Sequence, residues 1–367
     1  MRVLFLTKYP FEGASSRYRV YQYLPFVAAA GIEYEVDPFI SPAGYRLSLR
    51  PGRTWAKLAQ FALSLARRLS WIWRCRPYDL VFMQRESLPI GPPVMERWFR
   101  FTGKTTVFDY DDALFLFKPN ARFPLANRLK RPDRLNQIFG VVDCVLSGNG
   151  WLRDKAAQYC DDSRTFPVAE DLTRYTMRDP GRDDTVVIGW LGSPSTEKYL
   201  EIVRDVLRDL ARQYPNLLLR IVGGGSFHDS QLRVEHVRWS FETEVSALHS
   251  FDVGIMPLPL EDWSMGKSGG KARTYMAVGL PVVCTGIGFN TELIEHRKTG
   301  FLVRADEEWR EALSTLIGDA DLRRSVGIAA RRRVEERYSL ARLGPEFVEV
   351  LRDIHQVATA RRSRERR

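Results

Sequence analysis

The chain has 367 residues, a length that predicts two domains with a core large enough to fold without disulfides or structural metals. Charged residues make up 27% and hydrophobic residues 44%, values that exclude disordered, collagen-like and coiled-coil chains. Four scattered cysteines without a C-x-x-C pair indicate neither a disulfide framework nor a zinc module, and they suit a reducing, cytoplasmic location. No apolar run reaches about 18 residues, so no membrane-spanning helix is predicted.

The net charge of +10 is concentrated in the first half of the chain. Residues 1–180 hold 27 Lys and Arg against 18 Asp and Glu, whereas residues 181–367 hold 28 against 27. Between Pro38 and Tyr78 there are eight basic residues and no acid. Such one-sided charge predicts an anionic partner for the first half.

The first domain, residues 1–178, opens with an apolar strand over 3–6 and a helix over 18–30 that Ser15 and Ser16 would cap. Strand, glycine-containing loop and helix form the start of a doubly wound α/β unit. Further short apolar runs predict parallel strands over 80–83, 105–108 and 144–146.

Residues 54–73 have the apolar period of an amphipathic helix with basic residues on its other faces. Such a helix resembles one that lies in a membrane interface. Its predicted contacts with an anionic membrane surface are Trp55, Arg67, Arg68, Trp71 and Trp73. The alternative is a helix packed on the sheet of the first domain with its arginines in water.

The second domain, residues 179–340, follows a polar, turn-rich linker over 176–185. Its expected strands and helices alternate in a second α/β set. The strands are 186–188, 218–222, 253–256 and 282–284, and the helices lie near 196–213, 242–249, 269–278 and 306–337. A terminal helix over 341–357 is expected to pack on the first domain, before a disordered basic tail over 358–367. The predicted fold class is α/β, with two doubly wound, Rossmann-like domains facing across a cleft and the ligand at the carboxyl ends of the strands.

Glycines and two lysines precede the helix near residue 270, in the order Lys267-Ser268-Gly269-Gly270-Lys271. Free backbone N–H groups and the helix dipole favour phosphate at such a position. The glycine spacing is neither that of a P-loop nor that of a dinucleotide fingerprint. The segment is therefore interpreted as a phosphate site, with an ordinary lysine-bearing loop as the alternative.

The run KARTYMAVGLPVV from Lys271, followed by 286–292 and 298–303, resembles the signature of the family 4 type glycosyltransferases (glycosyl transferases group 1) with GT-B architecture. The similarity covers nearly all of 186–340 and continues more thinly through 13–19 and 108–113. It implies metal-independent, retaining transfer of a sugar from a nucleotide diphosphate sugar. The implied acceptor is a saccharide or a lipid-linked saccharide in polysaccharide or glycoconjugate biosynthesis, with no other cofactor.

The sequence departs from this family at three positions. The family's two glutamates, separated by seven intervening residues, would fall on Gly266 and Thr274. The second glutamate normally holds the donor ribose, so Thr274 would offer one weaker contact and leaves UDP, GDP and dTDP open. The arginine before the family's phosphate-binding lysine is also replaced, by Ser193, and Lys198 is either that lysine or a solvated one.

The predicted donor site combines backbone amides of glycine turns, fixed cations and polar side chains that could bind phosphate or sugar hydroxyls. Its residues are Gly192, Ser193, Lys198, Gly224, Gly225, Lys267, Lys271, Thr274, Asn290 and Glu292. Tight loops and helix capping are the alternatives for the glycines and for Glu292.

The first domain contains no histidine before residue 180, which weakens an inverting mechanism with a histidine base. Acids just beyond a strand end are the candidates for catalysis there, together with Lys271 in the second domain. These acids are Asp109, Asp111 and Asp112. The predicted acceptor-binding residues are Ser16, Arg17, Arg19, Arg85 and Glu86. Loop capping and a metal site are the alternatives for the acids.

Three other functions stay open at this point. They are a nucleotide-sugar 2-epimerase of the same fold, a non-catalytic sugar-binding or scaffold protein, and a nucleic-acid binder that no recognition motif supports. The main expectation is a glycosyltransferase attached peripherally to the inner face of the cell membrane.

Overall fold

The computed structural model describes residues 1–116, 133–179 and 185–365. The chain forms two compact units: unit 1 comprises Met1–Val168 and Leu343–Arg367, and unit 2 comprises Ala169–Arg342. The chain thus enters unit 2 after Val168 and not at the predicted boundary, 178/179. Part of the predicted linker, 180–184, lies outside the described residues.

Unit 1 contains a six-stranded parallel sheet in the order β2-β1-β3-β4-β5-β6. The strands are β1 Arg2–Thr7, β2 Glu33–Pro38, β3 Leu80–Gln84, β4 Thr105–Tyr110, β5 Cys144–Ser147 and β6 Ser163–Thr165. The helices up to residue 156 are α1 Ala14–Arg19, α2 Leu24–Ala29, α3 Pro42–Ser48, α4 Thr54–Arg74, α5 Val94–Phe101, α6 Arg134–Phe139 and α7 Gly150–Ala156. The predicted helix over 18–30 is divided, because a 3₁₀ turn over Tyr21–Tyr23 separates α1 from α2.

The central strands of unit 1 are buried on both faces, as in parallel sheets covered by helices. All five residues of β3 and all six of β4 are buried, and Val81, Met83, Phe108 and Tyr110 join the core formed with α4, α5 and α6. Because the strands run in one direction, the residues that follow them gather at one edge of the sheet. This edge carries the predicted acid cluster.

The last helix, α16, spans Leu340–Glu365, and from Leu343 onward it belongs to unit 1. Phe347 stacks on Tyr23 with ring centroids 4.6 Å apart and also contacts Phe5. Near its end Arg362 donates to the Thr105 hydroxyl (2.8 Å). The prediction of a disordered tail from 358 is wrong as far as Glu365, because these contacts hold the basic end of the helix against the sheet.

Unit 2 repeats the plan with six parallel strands in the order β12-β11-β10-β7-β8-β9. The strands are β7 Val186–Leu191, β8 Leu217–Val222, β9 Val234–Val237, β10 Val253–Met256, β11 Val282–Thr285 and β12 Phe301–Val303. The helices are α8 Pro194–Glu197, α9 Arg204–Gln213, α10 Glu244–His249, α11 Asp262–Met265, α12 Gly270–Ala277, α13 Asn290–Leu293, α14 Asp306–Gly318 and α15 Ala320–Arg337. Doubly wound α/β units are therefore confirmed as the fold class.

Two strand glycines let the neighbouring elements of unit 2 approach its sheet closely. A Cβ on Gly189 would lie 2.0 Å from the Phe251 ring, and one on Gly254 would lie 2.5 Å from the ring of Tyr275. The close packing draws α12, the helix of the predicted phosphate site, onto β10. Six of its eight residues are buried, so α12 is part of the core and its first turn has a fixed position.

Candidate donor and acceptor sites

Lys271 lies in the first turn of α12 with its ammonium group partly buried. Its Nζ donates to the hydroxyl of Thr196 (3.2 Å) and lies 4.2 Å from the centre of the Trp190 ring. Among the described residues, no carboxylate forms an ion pair with it. Burial, together with the charge of Lys267, lowers the pKa of Lys271 to about 7. A partly buried cation without a counter-ion is a prepared site for an anion.

Hydroxyl groups of the loop after β7 lie next to the Lys271 ammonium. The Ser193 hydroxyl lies 2.9 Å from that of Ser195 and 3.5 Å from that of Thr196, to which Lys271 donates. Ser193 and Ser195 are exposed. The sequence predicted Ser193 here, and the structure adds Ser195 and Thr196 to the same loop after β7.

Gly192 brings the backbone next to the lysine. A Cβ at this position would lie 2.8 Å from Lys271 Nζ, and the Gly192 amide donates to Val222 O at the end of β8 (3.0 Å). The loops after β7 and β8 are thus joined beside the cation. Gly192 lies against the Lys271 side chain, but its own N–H already donates to Val222 O and is not available to a ligand.

The glycine turn after β8 is predicted to offer its amides to a ligand. In the structure, an internal carboxylate accepts the Gly225 amide instead. The Glu197 carboxylate accepts the amides of Gly225 (2.8 Å), Ser226 and Phe227 (3.0 Å each) and the Ser226 hydroxyl (2.6 Å). A Cβ on Gly224 would lie 2.5 Å from Glu197 Oε1. Burial alone would raise the pKa of Glu197, but these hydrogen bonds lower it to about 2. The Gly225 amide holds an internal carboxylate, so its assignment as a donor ligand is corrected, whereas the contact predicted for Gly224 stays a prediction.

Thr274 is also occupied inside the protein. Its hydroxyl lies 3.1 Å from Glu170 Oε1 and 2.9 Å from Gly270 O, and the residue is buried. Arg273 donates to the same Glu170 oxygen (3.1 Å). Burial raises the pKa of Glu170 to about 7 against the opposing effects of Arg273 and Thr274. Thr274 therefore belongs to a buried polar cluster, and its predicted contact with the donor nucleotide is corrected.

The other predicted donor residues divide into exposed and buried ones. Lys198 is exposed, with its Nζ 5.4 Å from the ring centre of its neighbour Tyr199. Lys267 places its Nζ 3.4 Å from the ring centre of Trp263. Asn290 is buried, and its amide nitrogen donates to Thr285 O (3.0 Å), so its predicted contact with the donor stays a prediction.

Glu292 has an exposed side chain at the end of the short helix α13. Its backbone carbonyl accepts from Arg333 (2.7 Å), which fixes the backbone and leaves the carboxylate on the surface. Its predicted contact with sugar hydroxyls stays a prediction.

In unit 1, Asp109 and Arg19 form an ion pair with both side chains fully buried. Arg19 Nε donates to both carboxylate oxygens (3.0 and 3.2 Å), and its NH1 donates to Phe166 O (2.6 Å). Burial raises the pKa of Asp109, and Arg19 opposes that rise. Neither side chain is open to a substrate here, so the predicted catalytic role of Asp109 and acceptor role of Arg19 are corrected to structural ones.

Asp111 and Asp112 remain at the sheet edge, joined by Arg85. Arg85 NH2 lies 2.7 Å from Asp112 and 3.6 Å from Asp111, and the Ser15 hydroxyl donates to Asp111 (3.2 Å). Burial and the charge of Asp112 raise the pKa of Asp111, while Arg85 opposes the rise. Arg85 has φ of +66°, a left-handed conformation that costs a non-glycine residue energy and that concentrates at functional sites.

The other predicted acceptor residues are placed differently. Ser16 is buried and donates to Gln84 Oε1 (2.8 Å), so it is a structural residue and not a substrate contact. Arg17 is partly exposed and lies against the rings of Phe11 and Tyr18. Glu86, next to Arg85, is partly exposed. Arg17, Arg85 and Glu86 are at least partly exposed, and their predicted acceptor contacts stay predictions.

The residues predicted for membrane contact on α4 separate into two groups. Arg68 and Trp71 are buried, and Arg68 donates to Asp37 (3.1 Å) and to the Thr7 carbonyl (2.8 Å). Arg67 pairs with the same Asp37 (3.1 Å). These three are corrected to packing residues, because α4 uses its basic face to hold β2. Trp55 and Trp73 are 84% and 66% exposed.

Residues 185–319 match a family model described as Glycosyl transferases group 1. Solved structures resemble the whole chain. HepE from Anabaena in complex with UDP and glucose has a TM-score of 0.67 at 17% identity, covering 96% of this chain and 99% of that one. A glycosyltransferase from Rickettsia africae gives 0.69 at 12% identity over 96% and 98%. WaaG, a glycosyltransferase involved in lipopolysaccharide biosynthesis, gives 0.63 at 14% over 95% and 99%.

A curated relative is similar over a shorter stretch. Spore coat protein SA of Bacillus subtilis (strain 168) is 23% identical over 181 residues, which are 45% of this chain and 48% of that protein. The chain therefore spans about half the length of this relative. The two units with parallel sheets have the fold of the GT-B glycosyltransferases. The match to the group 1 glycosyltransferase family model lies within the second unit, over residues 185–319.

Proposed function

We propose that the protein transfers a sugar from a nucleoside diphosphate sugar to a saccharide or lipid-linked acceptor. The observation that carries this proposal is Lys271, a partly buried ammonium at the carboxyl ends of the strands of unit 2, which has hydroxyls beside it and no ion pair to a carboxylate of the described residues. A nucleoside diphosphate gains negative charge as it leaves the sugar, and a fixed cation stabilises that charge. Lys267 adds a second positive charge close by.

The proposed donor class is also supported by the similar structures. HepE was solved with UDP and with UDP-glucose. In the donor site of this chain, Lys271 and Lys267 would neutralise the diphosphate, and the hydroxyls of Ser193, Ser195 and Thr196 would donate hydrogen bonds to it. The arrangement needs no metal ion for charge neutralisation, so we propose metal-independent transfer.

The acceptor would bind to unit 1 at the edge that carries Arg85, Asp111 and Asp112. Carboxylates and a guanidinium are suitable partners for sugar hydroxyls, and the strained backbone of Arg85 is typical of a binding residue. Residues 1–180 contain no histidine, Arg19 occupies the carboxylate of Asp109, and Arg85 pairs with Asp111 and Asp112, which together argue against an inverting base at this edge. We therefore propose that the sugar is transferred with retention of configuration.

Thermal unfolding in the presence of UDP, GDP, dTDP, ADP and CMP and their sugar conjugates tests the donor. A ligand that binds the folded state alone raises the midpoint by mass action. We expect one nucleotide class to stabilise the protein, and release of that nucleotide from its sugar conjugate when an acceptor saccharide is added. If none of these compounds shifts the midpoint or is turned over, the enzyme proposal fails and a scaffold role gains support.

Unit 1 also carries an apolar surface that suits an anionic membrane. On α4, Trp55, Leu58, Leu63 and Trp73 are more than half exposed. The exposed Phe101 of α5 extends this set. We call these five residues the apolar strip.

The strip continues from α4 to α5 because Trp98 of α5 donates to Ile72 O of α4 (2.7 Å). Exposed arginines accompany it, namely Arg50, Arg53, Arg74, Arg76 and Arg97. Apolar side chains beside cations suit the interface of a bilayer with anionic headgroups. In the described residues no helix is both long and apolar enough to cross a membrane. We propose that the strip lies on the surface of the membrane that holds a lipid-linked acceptor.

Replacing Trp55 and Trp73 by alanine should weaken binding to vesicles that contain phosphatidylglycerol by at least about tenfold, because each buried apolar side chain contributes roughly 1.5–3 kcal/mol. Cosedimentation measures the effect. Ile328→Ala removes an exposed apolar side chain from unit 2 and serves as the matched control. Equal binding of the double variant and the wild type would contradict the proposal, as would equal binding to pure phosphatidylcholine.

A further inference from the structure

Trp239 is a half-exposed tryptophan that the donor site described above does not use. It follows β9 by two residues, and 41% of its surface is exposed. Its indole N–H donates to the carboxylate of Glu244, in the first turn of α10. A large apolar ring that is held in place while its surface remains open to solvent suits a flat ligand.

Glu244 is itself fixed, so the orientation of the indole is defined. Glu244 accepts the hydroxyl of Tyr175 (2.5 Å) and lies 3.5 Å from Arg174 NH2. Arg174 in turn stacks on Phe241, 3.5 Å from the ring centre. The loop between β9 and α10 is therefore anchored at several points. A tryptophan on such a loop loses little conformational freedom when a ligand stacks on it.

Trp239 and Lys271 lie in one row of neighbours. A Cβ on Gly223 would lie 3.2 Å from Trp239 Cβ and 2.3 Å from Gly192 O. A Cβ on Gly192 would lie 2.8 Å from Lys271 Nζ. Gly223 has φ of +85°, so this close approach depends on glycine in both conformation and space.

The length of the row is set by the sheet. The strands that carry it are adjacent in the order β7-β8-β9, and two strand spacings amount to about 10 Å. A cation thus lies at one end of the row and an aromatic plane at the other. In a nucleoside diphosphate the ribose separates the charged phosphates from a flat base. The row has the same order, with the Lys271 cation at one end and the Trp239 ring at the other.

We propose that Trp239 stacks on the base of the donor nucleotide and that Glu244 is the positioning residue for its indole. The inference rests on the proposed function, because it assigns the base end of the same donor site. Stacking on a ring tolerates every base, so Trp239 would contribute affinity, and the choice between bases would depend on other contacts.

Equilibrium binding of UDP, GDP, dTDP, ADP and inorganic pyrophosphate to wild type, Trp239→Ala and Trp239→Phe tests the inference. Pyrophosphate has no base and reports on the cation end alone. We expect Trp239→Ala to weaken the best-bound nucleotide at least about fivefold while pyrophosphate binding is unchanged. Trp239→Phe should retain most of the affinity, because it keeps an aromatic plane. Tyr159→Ala removes an exposed aromatic residue of unit 1 as the matched control.

The possible failures are distinguishable. If the wild type binds a nucleotide and Trp239→Ala binds it equally well, the stacking proposal is overturned and the proposed function stands. If Trp239→Ala weakens pyrophosphate and nucleotide by the same factor, the side chain supports the loop and does not contact the base, which also overturns the proposal. If the wild type binds none of the nucleotides, both proposals fail.

Discussion

Replacing Lys271 by alanine should reduce the affinity for the donor by at least about 10- to 100-fold. Hydrogen bonds to charged groups contribute roughly 1.5–3 kcal/mol, and the diphosphate would lose its nearest cation at a partly buried site. The fold should survive, because the Lys271 side chain bonds only Thr196 among the described residues and leaves the α12 core untouched. Calorimetric titration with UDP-glucose measures the loss, and the thermal midpoint without ligand checks the fold.

Lys198 offers the matched control, because it is a lysine of the same unit with an exposed side chain. Lys198→Ala should leave the affinity within about twofold of the wild type if Lys271 is the diphosphate cation. The opposite pattern, with a large loss for Lys198→Ala and none for Lys271→Ala, would transfer the role to Lys198.

The same lysine should make donor binding depend on pH. Its pKa is lowered to about 7 in the free protein, and a bound diphosphate favours the charged form, so the bound protein has a higher pKa than the free one. Affinity for UDP-glucose should therefore be full below pH 7 and fall by up to about tenfold per pH unit as the pH rises above 7. Glu197 stays ionised throughout, since its pKa is about 2. Lys271→Arg, which stays charged, should bind with a flat pH profile.

Replacing Asp109 by alanine should lower the free energy of unfolding by about 3–5 kcal/mol, the cost of leaving a buried charge without its partner. Arg19 would keep its hydrogen bond to Phe166 O but lose its ion pair with Asp109. Since about 1 kcal/mol shifts the midpoint of a domain this size by 2–4 °C, the thermal midpoint should fall by roughly 6 °C or more.

Asp112→Ala is the control from the same acid cluster, because Asp112 is more exposed and pairs with Arg85 near solvent. It should change stability by less than about 1 kcal/mol. Replacing the pair together, with Arg19→Met and Asp109→Leu, should recover much of the loss. An Asp109→Ala protein that unfolds like the wild type but lacks activity would restore the catalytic interpretation.

The strands and their order of appearance were predictable because buried parallel strands are short apolar runs. The runs over 80–83 and 105–108 became β3 and β4, and 186–188 and 253–256 became β7 and β10. The four strands at the sheet edges were missed, because β2 and β9 (EYEVDP and VEHV) mix charged with apolar residues and β6 and β12 have only three residues each. Lys271 could be selected as the candidate phosphate lysine because glycines and a helix start accompany it.

Residues that position the candidate sites through hydrogen bonds or ion pairs could not be recognised from the local sequence. Glu197 lies 28 residues before the Gly225 amide that it accepts, and Arg19 lies 90 residues before Asp109. Trp239 and Glu244 are five residues apart, but nothing in the sequence shows that the indole stays exposed. An acid after a strand has the same local pattern whether it meets solvent, a ligand or a buried arginine.

Local sequence patterns were sufficient to predict the two parallel α/β units, the resemblance to the glycosyltransferase signature and Lys271 as the candidate donor cation, because apolar periodicity and glycine spacing are local properties of the chain. Which polar groups are already occupied is visible only in the packed fold: Asp109 by Arg19, the Gly225 amide by Glu197, and Arg68 by Asp37. Each of these pairs joins segments far apart in the chain. Burial makes an unpaired charge costly, so the packed fold selects the partner, and the groups left over are those available to a ligand.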